Sequence, residues 1–242
     1  MTKDFGIIGN PVQHSFSPEY FNDKFQKLKL PYTYHGFELK KIKELEAVIQ
    51  QYPNLFGLNV TSPYKEDIMS YLSTMSPEAM EVGAVNTVVI KGDKLHGFNT
   101  DVDGFDKVVE DLHVGRKGCL VLGTGGASKA VIHVLESRDM SYVQVSRSPK
   151  KNMIGYSDIN QEMLSEYPVI INTTPLGMMN DIYSKPQLPY RFIGPQHVLV
   201  DLVYQPRTTA FLQEGLKRGA RIKNGYQMLI EQAEAAWKIW SS

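Results

Sequence analysis

The second half of the chain repeats a short apolar run followed by a segment long enough for a helix, and this repeat restricts the fold more than any other feature. The apolar runs lie at residues 118–122, 141–146, 169–172, 198–202 and 220–223. Consecutive strands that are separated by crossover segments pair in parallel. The five runs therefore predict a parallel sheet in an α/β domain.

The first half shows a second α/β pattern. Strand-like runs alternate with segments of helical periodicity, and a turn-forming stretch at 91–94 predicts a β-hairpin. The predicted strands are 5–9, 32–37, 55–60, 85–90 and 95–98, and the predicted helices begin at Ser17 and cover 42–50 and 104–112. We therefore expect a domain at 1–101, a second domain at 102–225, and a C-terminal helix at 226–242 that packs back on the first.

Composition excludes several kinds of partner. The 242 residues carry 26 basic and 26 acidic side chains and no basic run, so we expect no nucleic acid partner. No apolar stretch approaches the roughly 18 residues that span a bilayer, and the first residues lack the pattern of a signal peptide. We therefore expect no membrane partner and a cytoplasmic location. One cysteine and six scattered histidines predict neither a disulfide nor a metal site.

A glycine-rich turn follows the first strand of the second domain. Gly123, Gly125 and Gly126 come after an apolar strand and before a helix, with Ala127 and Ser128 completing the turn. Such a turn lets the backbone approach a pyrophosphate, which the helix N-terminus attracts. The GxGxxG pattern is only partly met because Ser128 stands at its third glycine. A turn that needs glycine for steric reasons alone is the alternative.

The end of the next strand carries no acidic residue, although an acid there would bind the ribose 2′-hydroxyl of NAD. Ser146, Arg147 and Ser148 are instead followed by Lys150 and Lys151. Arginine binds phosphate through two parallel hydrogen bonds, so this loop favours the 2′-phosphate of NADP. A solvated polar loop is the alternative. The following residues, 148–163, show little apolar periodicity and predict no clear helix.

Two polar stretches in the first domain follow predicted strands. Ser15 and Ser17 lie beside a helix N-terminus, where a carboxylate is favoured, although Ser17 can equally be only the helix N-cap. Lys65 is predicted in the first turn of another helix, where the helix dipole disfavours a cation. A solvated surface lysine is its alternative. Asn86 and Asp101 lie at the ends of the predicted hairpin, and turn formation alone accounts for such residues.

These stretches together resemble the shikimate dehydrogenase family, which reduces 3-dehydroshikimate with NADPH. The resemblance extends over nearly the whole chain and rests on eight motifs in the order of the family. They are GNPVQHSFSP, NVTSPYKE, GAVNT, GFNTD, GTGGAS, NTTPLGM, DLVYQPRTT and NGYQMLIEQ.

The resemblance implies a role for individual residues. Lys65 and Asp101 would be the catalytic pair. The substrate carboxylate would be held by Ser15, Ser17 and Tyr204, and the ring hydroxyls by Thr61, Asn86, Asp101 and Gln232. The NADP site would comprise Gly123, Gly125, Gly126, Ala127, Ser146, Arg147, Ser148, Lys151, Asn172, Thr173, Leu202 and Gly225. The partner would be a small-molecule substrate, and the enzyme a monomer or a homodimer.

Two alternatives stay open. A quinate/shikimate dehydrogenase resembles the same family but accepts a ring with one more hydroxyl and often uses NAD. A non-catalytic dinucleotide-binding module on the same fold is the other, since a fold does not define a function. Such a module would be expected to lack Lys65 or Asp101, and both residues are present.

Overall fold

A computed structural model describes residues 2–179 and 181–242. The chain divides into two compact units. The first unit contains the chain up to Thr100 together with Ala233–Ser242, and the second unit contains Asp101–Gln232. Within the described ranges, no helix is long and apolar enough to cross a membrane.

The first unit is built on a mixed six-stranded sheet in the order β2-β1-β3-β5-β6-β4. Its strands are β1 (Lys3–Gly9), β2 (Tyr32–Glu38), β3 (Leu55–Val60), β4 (Thr74–Met75), β5 (Thr87–Lys91) and β6 (Lys94–Phe98). Its helices are α1 (Ser17–Lys27), α2 (Leu45–Gln51) and α3 (Pro77–Val82), with 3-10 turns at Ile42–Glu44 and Asp67–Tyr71. Strand β1 pairs in parallel with β2 and β3, and β5 and β6 form the predicted hairpin.

The second unit contains a parallel sheet in the order β12-β11-β10-β7-β8-β9. Its strands are β7 (Cys119–Leu122), β8 (Tyr142–Ser146), β9 (Met153–Gly155), β10 (Val169–Asn172), β11 (Val198–Asp201) and β12 (Arg221–Asn224). Its helices are α4 (Asp101–Leu112), α5 (Gly126–Ser137), α6 (Gln161–Glu166) and α7 (Ala210–Leu216), with 3-10 turns at Tyr156–Asp158 and Tyr190–Phe192. The parallel sheet and its five expected strands are confirmed.

The central strands of this sheet explain why their sequences are continuously apolar. Every residue of β7, β10 and β11 is buried, whereas the edge strands β9 and β12 have none fully buried. A parallel strand covered by helices on both faces needs apolar side chains on both. The carboxyl ends of β7, β10 and β11 consequently lie side by side, because their registers align Leu122, Asn172 and Asp201.

The last helix, α8 (Tyr226–Ser241), begins in the second unit and ends in the first. Its end belongs to the aromatic core of the first unit, where Trp240 lies 5.0 Å from the ring of Phe5 and donates from Nε1 to Val88 O at 3.1 Å. Gly57 makes room for this ring, since a Cβ on it would come within 2.4 Å of Trp240. The predicted fold class, including the helix that returns to the first domain, is confirmed.

Three details differ from the predicted elements or refine them. Strand β9 was not expected, and it pairs in parallel with β8 after only a short loop. The expected lack of a clear helix after Arg147 is confirmed as far as Asn160, because α6 begins at Gln161. Leu28, whose spacing from Phe21 and Phe25 in the sequence predicts a place on the apolar face of α1, is 52% exposed because the helix ends at Lys27.

Candidate functional site

The glycine-rich turn opens α5 in the second unit. Gly123 has φ of +118°, a conformation that favours glycine, and a Cβ there would lie 2.6 Å from Thr173 Oγ1. Gly125 occupies the N-cap position without a side-chain cap, and a Cβ on it would meet nothing within 4 Å. Space is therefore open beside Gly125 at the N-terminus of α5, as an anion site requires.

Two polar side chains hold this turn in place. Ser128, which replaces the third glycine of the pattern, is fully buried and donates from Oγ to Gly125 O at 2.7 Å. Gln144 on the neighbouring strand β8 donates from Nε2 to Gly123 O at 2.9 Å. Sequence analysis did not identify Gln144, and its position inside an apolar strand was the only available signal. Hydrogen bonds therefore hold the turn in shape, although serine stands at the third glycine position of the pattern.

The loop after β8 presents the basic residues predicted to bind a 2′-phosphate. Arg147, Ser148 and Lys151 are exposed, and Ser148 N donates to Ser146 Oγ at 3.1 Å. Burial raises the pKa of the Tyr156 phenol, and the positive charge of Arg147 opposes that shift. The loop keeps Arg147 accessible to a ligand.

A buried carboxylate joins the ends of β10 and β11. Asp201 Oδ1 accepts from Asn172 Nδ2 at 2.9 Å and from Val203 N at 3.0 Å. Burial raises the pKa of Asp201 to about 6, against the effect of these hydrogen bonds. Asn172 is itself fully buried, and its Oδ1 accepts from Thr174 Oγ1 at 2.6 Å. Both polar atoms of the Asn172 side chain are therefore engaged within the unit.

Other predicted cofactor residues lie at the same carboxyl edge of the sheet. Thr173 Oγ1 donates to Leu122 O at 2.7 Å, and Leu202 N donates to Asn172 O at 2.9 Å. Gly225 directly follows β12, and its N–H donates to Val203 O at 3.3 Å. In parallel α/β sheets, ligands bind at the carboxyl ends of the strands.

Asp101, Tyr204 and Gln232 belong to the second unit. Asp101 is the buried first residue of α4, Tyr204 lies in the loop after β11, and Gln232 is buried on α8. Helices α4 and α8 pack closely at Gly104, where a Cβ would lie 2.6 Å from Met228 O and 3.2 Å from Gln232 Cβ. The structure thus places Gln232 against Gly104, one helical turn along α4 from Asp101.

A buried polar cluster in the first unit surrounds Asn86. Its Oδ1 accepts from Thr100 N at 2.7 Å, from Thr87 Oγ1 at 3.1 Å and from Thr100 Oγ1 at 3.2 Å. Asn59 Nδ2 in turn donates to Thr87 Oγ1 at 3.2 Å. The Asn86 side-chain oxygen is therefore held by three donors from Thr87 and Thr100.

Ser15 and Ser17 lie at the start of α1, as expected, but Ser17 is not the helix N-cap. Phe16 occupies the N-cap position, and Ser17 is the first helical residue. Ser17 is buried. Burial also raises the pKa of the Tyr34 hydroxyl, and Ser17 opposes that shift. Ser15 is half-buried in the preceding turn, where its N–H donates to Val12 O at 3.0 Å.

Thr61 and Lys65 flank a tight turn after β3, and here the helix prediction for Lys65 was wrong. The 3-10 helix begins only at Asp67, so Lys65 lies in the turn before it. Lys65 is half-buried, and its C=O accepts from Val85 N at 2.8 Å. This backbone bond fixes the Lys65 main chain one residue from Asn86. Within residues 2–179 and 181–242, no cluster of His, Cys, Asp and Glu is arranged to hold a metal ion.

Comparison with known proteins places this geometry in one family. Residues 7–88 match the shikimate dehydrogenase substrate binding domain. A shikimate dehydrogenase (NADP(+)) of Methanococcus maripaludis is 36% identical over 260 aligned positions, which cover 99% of this chain and 92% of that protein.

Solved structures of shikimate dehydrogenases share the fold of this chain. Shikimate dehydrogenase from Aquifex aeolicus superimposes with a TM-score of 0.89 at 34% identity, covering 99% of this chain and 92% of that one. Shikimate 5-dehydrogenase from Thermus thermophilus, in complex with NADP(H) and shikimate, gives a TM-score of 0.87 at 31% identity, covering 99% and 93%. Both the sequence and the fold are shared over essentially the full length, and the chain therefore belongs to the shikimate dehydrogenase family.

Proposed function

We propose that this protein is an NADP-dependent shikimate dehydrogenase, which catalyses the reversible NADPH-dependent reduction of 3-dehydroshikimate to shikimate. The observation that carries the proposal is the full-length match to shikimate dehydrogenases, combined with every catalytic and binding residue that the family motifs predict. The substrate is a small molecule with a carboxylate, ring hydroxyls and one reducible ketone.

The residues of the second unit fit an NADP molecule. The uncapped N-terminus of α5 beside Gly125 suits a pyrophosphate, and exposed Arg147 suits a 2′-phosphate. Ser146, Ser148 and Lys151 complete the phosphate loop, while Thr173, Leu202 and Gly225 line the nicotinamide side. Bound nicotinamide supplies the hydride. Asn172, which is buried and bonded to Asp201 at this edge of the sheet, would line the nicotinamide side with them.

The residues of the first unit would bind and protonate the substrate. As the family motifs imply, Ser15, Ser17 and Tyr204 would hold the carboxylate. Thr61, Asn86, Asp101 and Gln232 would take the ring hydroxyls. In this proposal the first domain, 1–101, binds the substrate together with the helix at 226–242, which returns to it, and the second domain, 102–225, binds NADP.

Lys65 is the proposed general acid and base. Reduction of a ketone leaves an alkoxide, which must gain a proton at the same oxygen. The Lys65 ammonium donates that proton to the C3 oxygen during reduction, and the neutral amine accepts it during oxidation. Asp101 orients the lysine and accepts from a substrate hydroxyl. Holding the reacting groups at the correct distance supplies much of the remaining rate acceleration.

We also propose which partners the protein lacks, where it works and its oligomeric state. The neutral net charge and the lack of a basic run favour a protein without a nucleic acid partner. A cytoplasmic location and a monomeric or homodimeric state are proposed from the resemblance to the family. Sedimentation of the purified protein at two concentrations would distinguish the two oligomeric states.

The decisive experiment measures absorbance at 340 nm with shikimate or quinate as substrate and NADP⁺ or NAD⁺ as cofactor. The proposal expects the highest kcat/KM for shikimate with NADP⁺. Comparable rates with quinate and NAD⁺ would identify a quinate/shikimate dehydrogenase. Activity with none of the four pairs would overturn the assignment as a dehydrogenase and favour a non-catalytic dinucleotide-binding module.

A further inference from the structure

Thr87 joins three strands of the first unit, two of which lead to the proposed catalytic pair. It is fully buried at the start of β5, where it pairs with Asn59 of β3 and with Phe98 of β6. Strand β3 leads into the turn that carries Lys65, and β6 leads to Asp101. The resemblance to the family assigns no role to Thr87, although its side chain lies at the centre of the polar cluster around Asn86.

Two side-chain amides in this cluster have a fixed orientation. Asn59 Nδ2 lies 3.2 Å from Asn86 O, and Asn86 Oδ1 lies 2.7 Å from Thr100 N. A carbonyl oxygen only accepts and a backbone N–H only donates, so neither amide can be turned over. Tyr34 agrees with this orientation, because its hydroxyl donates to Asn59 Oδ1 at 2.7 Å.

The fixed amides determine where the Thr87 hydroxyl proton goes. Thr87 Oγ1 accepts from Asn59 Nδ2 at 3.2 Å, so its single proton is directed to another acceptor. The candidates are Asn86 Oδ1 at 3.1 Å and Thr100 Oγ1 at 3.2 Å. Thr100 Oγ1 in turn lies 3.2 Å from Asn86 Oδ1. By either route, a hydroxyl proton reaches Asn86 Oδ1.

This network limits how Asn86 can meet a substrate. Its Oδ1 receives the N–H of Thr100 and at least one hydroxyl proton, which together fill the two lone pairs of an amide oxygen. The side chain can therefore contact a substrate hydroxyl only by donating from Nδ2. A chain of hydrogen bonds that runs in one direction also polarises its members, which favours this arrangement.

We propose that Thr87 is a positioning residue for the substrate, because its hydroxyl, oriented by Asn59, holds Asn86 as a hydrogen-bond donor to a ring hydroxyl. Thr87 acts through Asn86 and does not itself touch the substrate. The inference rests on the proposed function, since it requires shikimate to bind at Asn86.

Replacing Thr87 with valine removes the hydroxyl and keeps the shape of the side chain. Thr87→Val should raise KM for shikimate by about twofold to tenfold, the range expected for one neutral hydrogen bond. Values of kcat and of KM for NADP⁺ should stay within about twofold, because the contact serves binding alone. Thr33→Val is the matched control on an exposed position of β2 in the same sheet, and it should leave all three constants unchanged.

Serine and alanine at the same position separate the hydroxyl from the packing of the buried methyl group. Both variants lose the methyl group and should unfold at a lower temperature than the unmodified protein. Thr87→Ser keeps the hydroxyl and should keep the unmodified KM for shikimate, whereas Thr87→Ala should raise it as valine does. This pair differs by one oxygen atom and tests the inference even where Thr87→Val fails to fold.

Asn86→Asp tests the direction of the substrate contact. A carboxylate can accept from the donors that hold Asn86 Oδ1, but it cannot donate. The variant should therefore raise KM for shikimate, and Thr87→Val should add no further rise in this background. The expected coupling is the sign that Thr87 acts through the Asn86 amide.

Several results would overturn the inference while the dehydrogenase assignment stands. These are an unchanged KM for shikimate in a folded Thr87→Val, equal KM values for Thr87→Ser and Thr87→Ala, or additive effects of Thr87→Val and Asn86→Asp. An unchanged or lowered KM in Asn86→Asp would also overturn it, since Asn86 would then not donate to the substrate. An unmodified protein that fails to oxidise shikimate would instead contradict the proposed function itself, and with it this inference.

Discussion

Thr209 donates from Oγ1 to Asp201 Oδ2 at 2.5 Å, and the pair closes the buried junction between β11 and the start of α7. Three donors bond this carboxylate and favour its charged form. The cost of burying the charge is larger, so the pKa of Asp201 is raised. Titration of the Asp201 carboxylate therefore makes the stability of the fold depend on pH, although Asp201 takes no part in the proposed reaction.

Asp201→Asn should remove that pH dependence. Burial raises the folded-state pKa from the ordinary 3.8 to about 6, so the folded protein binds a proton more tightly than the unfolded chain. Stability from this group is therefore present at low pH and is lost as the pH rises from about 4 to about 6. The variant should become more stable relative to the unmodified protein over that interval, by about 3 kcal/mol at most. Urea unfolding between pH 4 and pH 7 measures the difference, and a constant difference would contradict the buried charge.

Lys65→Ala should act on the chemical step. Loss of the general acid should lower kcat by about 10² to 10⁴, with a smaller change in KM for shikimate. Lys91→Ala, which removes an exposed lysine from the tip of the β5–β6 hairpin, is the matched control and should leave both constants unchanged. A Lys65 variant with near-normal kcat and only weaker binding would assign the lysine to binding instead.

Arg147→Ala should affect NADP and spare NAD. Hydrogen bonds to a charged phosphate contribute about 1.5 to 3 kcal/mol, so kcat/KM for NADP⁺ should fall by about tenfold to a hundredfold. The value for NAD⁺, which has no 2′-phosphate, should hardly change. Lys150→Ala, the control on the same exposed loop, should have a small effect that fades with salt. Parallel losses for both cofactors would mean that Arg147 supports the loop.

Gln144→Ala should weaken both cofactors equally, in contrast to Arg147. The Gln144 amide holds Gly123 O, so its loss loosens the turn proposed for the pyrophosphate, which NAD and NADP share. One such hydrogen bond corresponds to a rise of about twofold to tenfold in KM for either cofactor, with KM for shikimate unchanged. Steady-state kinetics with each cofactor tests this, and a loss confined to NADP would contradict the role of Gln144 in the turn.

Gly57→Ala should destabilise the first unit, because the new Cβ would lie 2.4 Å from the Trp240 ring. Overpacking of this kind costs about 1 to 3 kcal/mol. Gly36→Ala is a matched control in a strand of the same sheet, where the nearest atom would be Val12 Cγ2 at 3.7 Å. Thermal unfolding of both variants gives the comparison. Equal stability would show that the Trp240 end of α8 moves aside without penalty.

The positions of strands and of the glycine turn could be predicted from the sequence because each depends on neighbouring residues. Apolar runs such as Cys119–Leu122 are visible in the chain, and so is a glycine turn at the junction of a strand and a helix. Strand β9 could not be predicted, because three half-buried residues form a strand only through pairing with β8.

The sequence by itself determined an α/β chain with a parallel sheet, a glycine-rich turn and a basic loop in place of an acid, since these features are local patterns of residue type. The tertiary structure decided how the polar groups are paired. Tyr34 bonds Asn59, Gln144 bonds Gly123 from the next strand, and Asn172 is bonded to Asp201. Each pair joins residues that are far apart in the chain, and only folding, which buries both partners and removes competing water, decides which donor meets which acceptor.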